Sequence, residues 1–162
     1  MGVDIYGTVN EDRLNDRHED GKEAPYFRSN WWYWRPLWDF LYEHAGDILT
    51  AREHELGHYN CGPLLDSDKT RAIAKRLRSL ITDGSVGNQE ALAHADQAMT
   101  EEVPCVYCEG TGTRKDMIVE NGCNACQGNG KIKPMTSWHT FSSKTVEDFC
   151  QFLEKSEGVT IY

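Results

Sequence analysis

Four cysteines in two matching settings constrain this chain more than any other feature. The first reads Cys105-Val106-Tyr107-Cys108-Glu109-Gly110-Thr111-Gly112, the second Cys123-Asn124-Ala125-Cys126-Gln127-Gly128-Asn129-Gly130. Both fit C-x-x-C-x-G-x-G. Two thiolates three residues apart bite one ion from a tight turn. Glycines after the second cysteine let the chain turn sharply and bring its amides to the sulfurs. Two such knuckles supply a closed tetrahedral shell, at about 2.3 Å per Zn–S bond. Fourteen residues separate Cys108 from Cys123, enough for a short hairpin that brings the knuckles together. The expectation is one structural Zn2+ per chain on Cys105, Cys108, Cys123 and Cys126, with Lys115 and Lys131 softening its negative charge. A closed site has no open coordination position, so this metal stabilises its module and does no chemistry. A redox pair is the alternative for these cysteines.

The remaining cysteines stand apart. Cys150 lies on the apolar stripe of an expected helix and reads as a small buried hydrophobe. The first residues, Met1-Gly2-Val3-Asp4, carry an acid where a signal peptide has bases, and no apolar stretch follows. Paired C-x-x-C motifs in such a chain point to metal rather than disulfides. No run of about 18 apolar residues suggests a membrane span. The expected setting is therefore the cytoplasm. Formal net charge is −9, which repels phosphates over most of the surface and makes nucleic acid a poor partner. Residues 11–23 concentrate acid and read as a solvated loop, or as a docking surface for a basic groove.

Hydrophobic residues make up 39% of the 162 residues, enough for one ordinary core. Val3, Ile5 and Val9 alternate as a strand. Residues 10–30 read as a loop. Pro36 suits the first position of a helix continued by Leu37, Phe40, Leu41, His44 and Ala45. Asp66 to Asp68 can cap a helix with the stripe Ile73, Leu77, Leu80 and Ile81. Another helix is expected over about residues 88–101. Ser142 or Ser143 caps a last one, striped by Val146, Phe149, Cys150 and Leu153. Residues 159–162 read as a strand that can lie beside the first. The chain thus reads as α+β: a small sheet with packed helices over residues 1–103 and 134–162, and an inserted four-cysteine zinc ribbon over 104–133.

A second metal motif is less secure. His54-Glu55-Leu56-Gly57-His58 matches H-E-x-x-H, which on a helix turns two histidines to one zinc and offers the glutamate as general base. A third ligand is not apparent downstream. The spacing of one protease group puts its Gly and His at Cys61 and Leu64, and another group's glutamate is first matched at Glu90. Gly57, Asn60, Gly62 and Pro63 also oppose a long helix. The competing reading has His58 and Asn60 organise a turn.

The doubled cysteine motif, over about residues 105–130, resembles the cysteine-rich region of DnaJ-type cochaperones. That family carries four such repeats and a His-Pro-Asp signature, which this chain lacks, so the resemblance implies a zinc ribbon and no cochaperone activity. Most of the chain resembles a group of small uncharacterised bacteriophage and prophage proteins. The carrying residues are Met1-Gly2-Val3-Asp4-Ile5-Tyr6, the stretch Tyr26-Phe27-Arg28-Ser29-Asn30-Trp31-Trp32-Tyr33-Trp34-Arg35-Pro36-Leu37-Trp38, and Gly57-His58-Tyr59-Asn60-Cys61-Gly62. The resemblance implies a mobile-element origin and a host-cell setting. The aromatic run reads as core packing or, where exposed, as a docking surface, because Trp and Tyr dominate interface hot spots. The first expectation for function is a non-enzymatic protein that binds or inhibits a host or phage protein through Trp31, Trp32, Trp34, Arg35, His58 and Asn60. The alternatives are a zinc hydrolase or protease on His54, Glu55 and His58, and a nucleic-acid accessory factor using the ribbon and the basic helix of Arg71, Lys75, Arg76 and Arg78.

Overall fold

A computed structural model describes residues 2–8, 24–59, 61–62, 64–114 and 122–162. The acidic stretch 11–23, Asn60, Pro63 and Lys115 lie outside the described residues. The chain divides into two compact units, residues 1–93 with 140–162, and residues 94–139. The fold is α+β, and the described residues form five α-helices, a four-stranded antiparallel sheet and a two-stranded ribbon.

In the first unit, β1 (Gly2–Thr8) forms the centre of the sheet and pairs on both sides. Its alternation puts Val3 and Ile5 fully inside and Tyr6 outside, as the period of two requires. The expected pairing of the last strand with the first is present: β6 (Gly158–Ile161) sets Ile161 opposite Ile5. Two further strands complete the order β2-β1-β6-β3. These are β3 (Leu64–Leu65) and β2 (Tyr26–Asn30). The end of the expected loop over 10–30 is therefore a strand; Phe27 faces Ile5 across the ladder and packs on Phe149 and Phe152. That apolar contact stabilises an edge that composition alone reads as irregular.

Helix α1 (Trp31–Ala45) begins five residues before Pro36, which corrects the expected start. Two local devices explain the difference. The Asn30 side chain accepts from the Tyr33 N–H at 3.1 Å and caps the helix. Pro36 has no N–H to offer the carbonyl of Trp32, four residues back. That carbonyl instead accepts from the Thr140 N–H at 2.9 Å, so the interior proline leaves no orphaned group. Trp34, Leu37, Trp38 and Leu41 form the buried face of α1.

Helix α2 (Ala51–Gly57) is short, and a capping box starts it. The Glu53 N–H donates to Thr50 Oγ1 at 3.2 Å, and the Glu53 carboxylate accepts the Thr50 N–H at 2.8 Å. Burial pushes the Glu53 carboxyl up, but Lys69 and the Thr50 donors outweigh burial and hold it below its ordinary value. A carboxyl lowered by folding contributes stability above its unfolded pKa, about 4.3. That share is lost as pH falls through the lower folded value. Thr50→Ala is expected to cost about 1 kcal/mol in urea unfolding at pH 7. An unchanged midpoint would show that α2 does not depend on its cap.

Helices α3 (Ser67–Thr82), α4 (Ser85–Met99) and α5 (Ser143–Glu154) complete the set. Asp66 caps α3 and Ser142 caps α5, as expected. Ile73 and Leu77 of α3 share one core with Val146, Phe149, Cys150 and Leu153 of α5. Outside that seam Arg78 bonds Glu147 at 2.8 Å and Glu154 at 2.9 Å. Among the described residues no helix is long and apolar enough to cross a membrane.

Candidate metal centres

The second unit is built around its cysteines. The ribbon strands β4 (Val103–Pro104) and β5 (Lys131–Ile132) pair at its base, and Ile132 packs on the sulfurs. All four cysteines are buried and close enough to hold one metal ion. Cys105 and Cys123 Sγ lie 3.9 Å apart, Cys108 and Cys126 Sγ 3.7 Å. The two knuckles repeat each other in detail. The Gly112 N–H donates to Cys108 Sγ and the Gly130 N–H to Cys126 Sγ, each at 3.2 Å. Across the pair, Cys105 N–H donates to Gly130 O at 2.8 Å and Cys123 N–H to Gly112 O at 2.7 Å. Each knuckle therefore closes the other. Gly112 and Gly130 have positive φ, and a Cβ on either would overlap a backbone carbonyl of the opposite knuckle. These two glycines are thus required twice, by backbone conformation and by close approach, and Gly110 and Gly128 by their positive φ alone.

A second cluster lies in the first unit, where α1 meets α2. Asp39 Oδ1 is 2.9 Å from His54 Nε2 and 2.8 Å from His58 Nε2, and the two ring nitrogens are 3.2 Å apart. This Asp-His-His group can also hold a metal ion. The two histidines are partly buried, while Asp39 is largely exposed. The cluster borders an open pocket of about 450 Å³ lined by Arg35, His54, Glu55, His58 and Tyr59.

The aromatic run explains how this cluster forms. Trp34 and Trp38 stack with centroids 5.1 Å apart and are fully buried. Their indole N–H groups donate to the last carbonyls of α2: Trp34 Nε1 to Gly57 O and Trp38 Nε1 to His54 O, each at 2.9 Å. These donors satisfy helix-end acceptors that otherwise need water. Gly57 lets α2 come this close, since a Cβ there would sit 2.5 Å from Trp38 Cε2. The helix ends at Gly57 after seven residues, as the residues opposing a long helix require, yet it is long enough to bring both histidines to Asp39. Helical backbone angles extend to its C-cap His58, at φ −78° and ψ −17°. Tyr42, also on α1, stacks on the His54 ring at 4.2 Å.

The residues singled out in the sequence separate clearly. Cys105, Cys108, Cys123 and Cys126 come together. Arg35 and His58 line one pocket, and Trp31 lies beneath the Arg35 guanidinium at 4.3 Å. Trp32 is half-buried. Trp34 belongs to the core, which removes it from any docking surface. Glu90, first in line for a downstream ligand, instead accepts from the N–H and hydroxyl of Ser143 at the start of α5. The ligand missing from the sequence reading is Asp39, and it lies upstream of the motif. Arg35, Asp39 and Tyr42 share one face of α1 at helical spacing, the sequence trace of what α1 contributes to the site. Comparison with family models, curated proteins and solved structures finds no match to this chain.

Proposed function

We propose that this protein is a two-zinc metallohydrolase, with a closed structural zinc on the four cysteines and an open catalytic zinc on Asp39, His54 and His58. The observation that carries the reading is the convergence of Asp39 with both histidines of the H-E-x-x-H motif beside an open pocket. The sulfur spacings and the imidazole spacing are compatible with zinc. Tetrahedral zinc at about 2.3 Å from sulfur sets S–S edges of about 3.8 Å, and at about 2.0–2.1 Å from nitrogen sets edges of about 3.3 Å. The sulfur pairs at 3.9 and 3.7 Å and the imidazole pair at 3.2 Å fit those edges, while Asp39 Oδ1, at hydrogen-bond distance from both rings (2.9 and 2.8 Å), would draw back by a few tenths of an ångström to share an ion with them. Without a cation, two N–H dipoles aimed at one carboxylate oxygen would lie side by side at 3.2 Å, an unfavourable arrangement.

Three protein ligands leave room for a water, and zinc in such a site lowers the pKa of that water to about 7. Glu55 lines the same pocket and would serve as the general base for a water held there. Its bond to Arg52, at 2.7 Å, joins two exposed side chains. Such a surface pair is worth about 0–1 kcal/mol, so Glu55 is readily released for proton transfer. The same reading takes the chain as phage-type, acting in the cytoplasm of the host cell. All six cysteines are unpaired, which suits a reducing compartment. Recovery of the native protein from the periplasmic fraction would oppose that setting.

Purified protein is expected to hold two zinc ions per chain, and Asp39→Asn about one. Hydrolysis of labelled casein and of bis-p-nitrophenyl phosphate tests the activity. Glu55→Gln is expected to lower turnover by about 10²- to 10⁴-fold while two zinc ions remain bound. One zinc in the wild type, or full activity in Glu55→Gln, would overturn the reading.

A second reading, docking on a host or phage protein, has one observation in its favour. Tyr6, Tyr26 and Tyr162 form an exposed row across the outer face of the sheet, with centroids 5.2 and 5.8 Å apart. A host protein captured by the wild type and lost with Tyr6→Ala and Tyr162→Ala together supports it. Equal capture by both forms, or none by either, removes it.

A further inference from the structure

The arginine beside the open cluster is unusual for this chain. Acids outnumber bases 26 to 17, and the other arginines on the first unit's described surface sit on carboxylates. Arg28 faces Asp4, Arg52 faces Glu55, Arg71 faces Asp68, Arg76 faces Asp47, and Arg78 faces two glutamates. Arg35 has no carboxylate or carbonyl partner among the described residues. Its Nε is buried without a hydrogen-bond acceptor. The natural partner one helical turn on is Asp39, but its Oδ1 is turned to His54 and His58. The guanidinium is held in place by the Trp31 ring instead, a contact that fixes its plane without consuming its charge. It therefore opens onto the pocket it shares with both histidines and Glu55.

We infer that Arg35 is the anion-binding residue of this site, and that the substrate carries an oxyanion, phosphoryl or carboxylate, held between Arg35 and the metal. This inference rests on the catalytic zinc proposed above. A planar guanidinium matches both oxyanions through paired N–H donors. A cation left without an acid in an acid-rich chain attracts an anion from solution more strongly than one already neutralised. Its position one turn before Asp39 puts the anion beside the metal, where the reacting bond must lie. Arg35 is thus a specificity residue, and Trp31 positions it.

Calorimetric titration of the zinc-loaded full chain tests the inference. Inorganic phosphate and glycylglycine serve as probes, the first for phosphoryl and the second for a peptide carboxylate. At least one is expected to bind, and Arg35→Gln to weaken that probe by about tenfold or more. Arg35→Lys, which keeps the charge but not the fork, is expected to fall between. Tighter binding of phosphate identifies a phosphoryl substrate; tighter binding of glycylglycine identifies a peptide C-terminus. Two zinc ions per chain with neither probe weakened in Arg35→Gln overturns this inference and leaves the zinc site standing. One zinc per chain overturns both. Equal melting temperatures for wild type and variants, with equal zinc content, exclude a folding defect as the cause.

Discussion

Cys123→Ala is expected to release one of two zinc ions and to melt residues 94–139, while the sheet unit stays folded. A unit this short buries too little apolar surface to fold alone and depends on its metal. Structural zinc contributes roughly 10–16 kcal/mol of apparent binding free energy at neutral pH. A stability of a few kcal/mol cannot survive loss of most of that. The substitution leaves the backbone bond from residue 123 N–H to Gly112 O in place, so what it removes is the thiolate alone. Hydrogen exchange reads the result: amides of residues 103–114 and 122–132 lose protection, and those of β1, β6 and α5 keep theirs. Retained protection in the ribbon would show that metal is not what holds it.

The same centre gives a pH dependence of definite sign. Without metal, burial pushes the Cys105 thiol up to about 11. Burial also opposes ionisation of Cys108, but the Gly112 N–H and the neighbouring thiols outweigh it and bring Cys108 down to about 7. Zinc binding needs all four thiolates, so loading at pH 7 releases protons, and affinity falls as pH is lowered. Zinc competition with a chelator at pH 7.5 and 6 reads that fall; equal affinity at the two values would contradict it.

Gly57→Ala is the second large effect, and two opposing contributions decide its sign. Helix propensity alone favours alanine by about 1 kcal/mol. Against that, the new Cβ lands 2.5 Å from Trp38 Cε2, and Trp38 is fully buried and stacked on Trp34. Overpacking of this kind costs about 1–3 kcal/mol, and an indole held from both sides cannot step aside. The net expectation is a loss of about 0–2 kcal/mol in urea unfolding. More telling, zinc content falls towards one per chain although no ligand is altered, because α2 moves away from Asp39. A variant that is more stable and keeps two zinc ions would refute the proposed role of Gly57.

How far the chain could be read in advance differs from element to element. The ribbon was legible because its information is local: spacing within eight residues states the ligands, the turn and the glycines. The stripes of α3 and α5 and the pairing of β1 with β6 were legible from periodicity. The start of α1 was not, since Pro36 is a strong local signal for a first turn. What overrides it is distant, the Thr140 N–H that takes the Trp32 carbonyl. The open site was half legible. His54 and His58 announce themselves by spacing, but the search for a third ligand ran downstream. Asp39 lies fifteen residues upstream, and only the docking of two helices brings it to the histidines. The tryptophans were legible in part. Core packing, the first reading of their density, is right for Trp34 and Trp38, the clamp that holds α2, whereas the docking surface loses Trp34.

That clamp is also an optical device. Two indoles stacked at 5.1 Å and 20°, each bonded to a carbonyl of the helix that carries the histidines, share one rigid asymmetric environment. Their near-ultraviolet circular dichroism depends on that packing, whereas the far-ultraviolet signal reports helix content alone. Withdrawal of α2 would therefore dim the first signal and spare the second. The protein carries an intrinsic gauge of how α2 holds His54 and His58 against Asp39, readable without label or substrate.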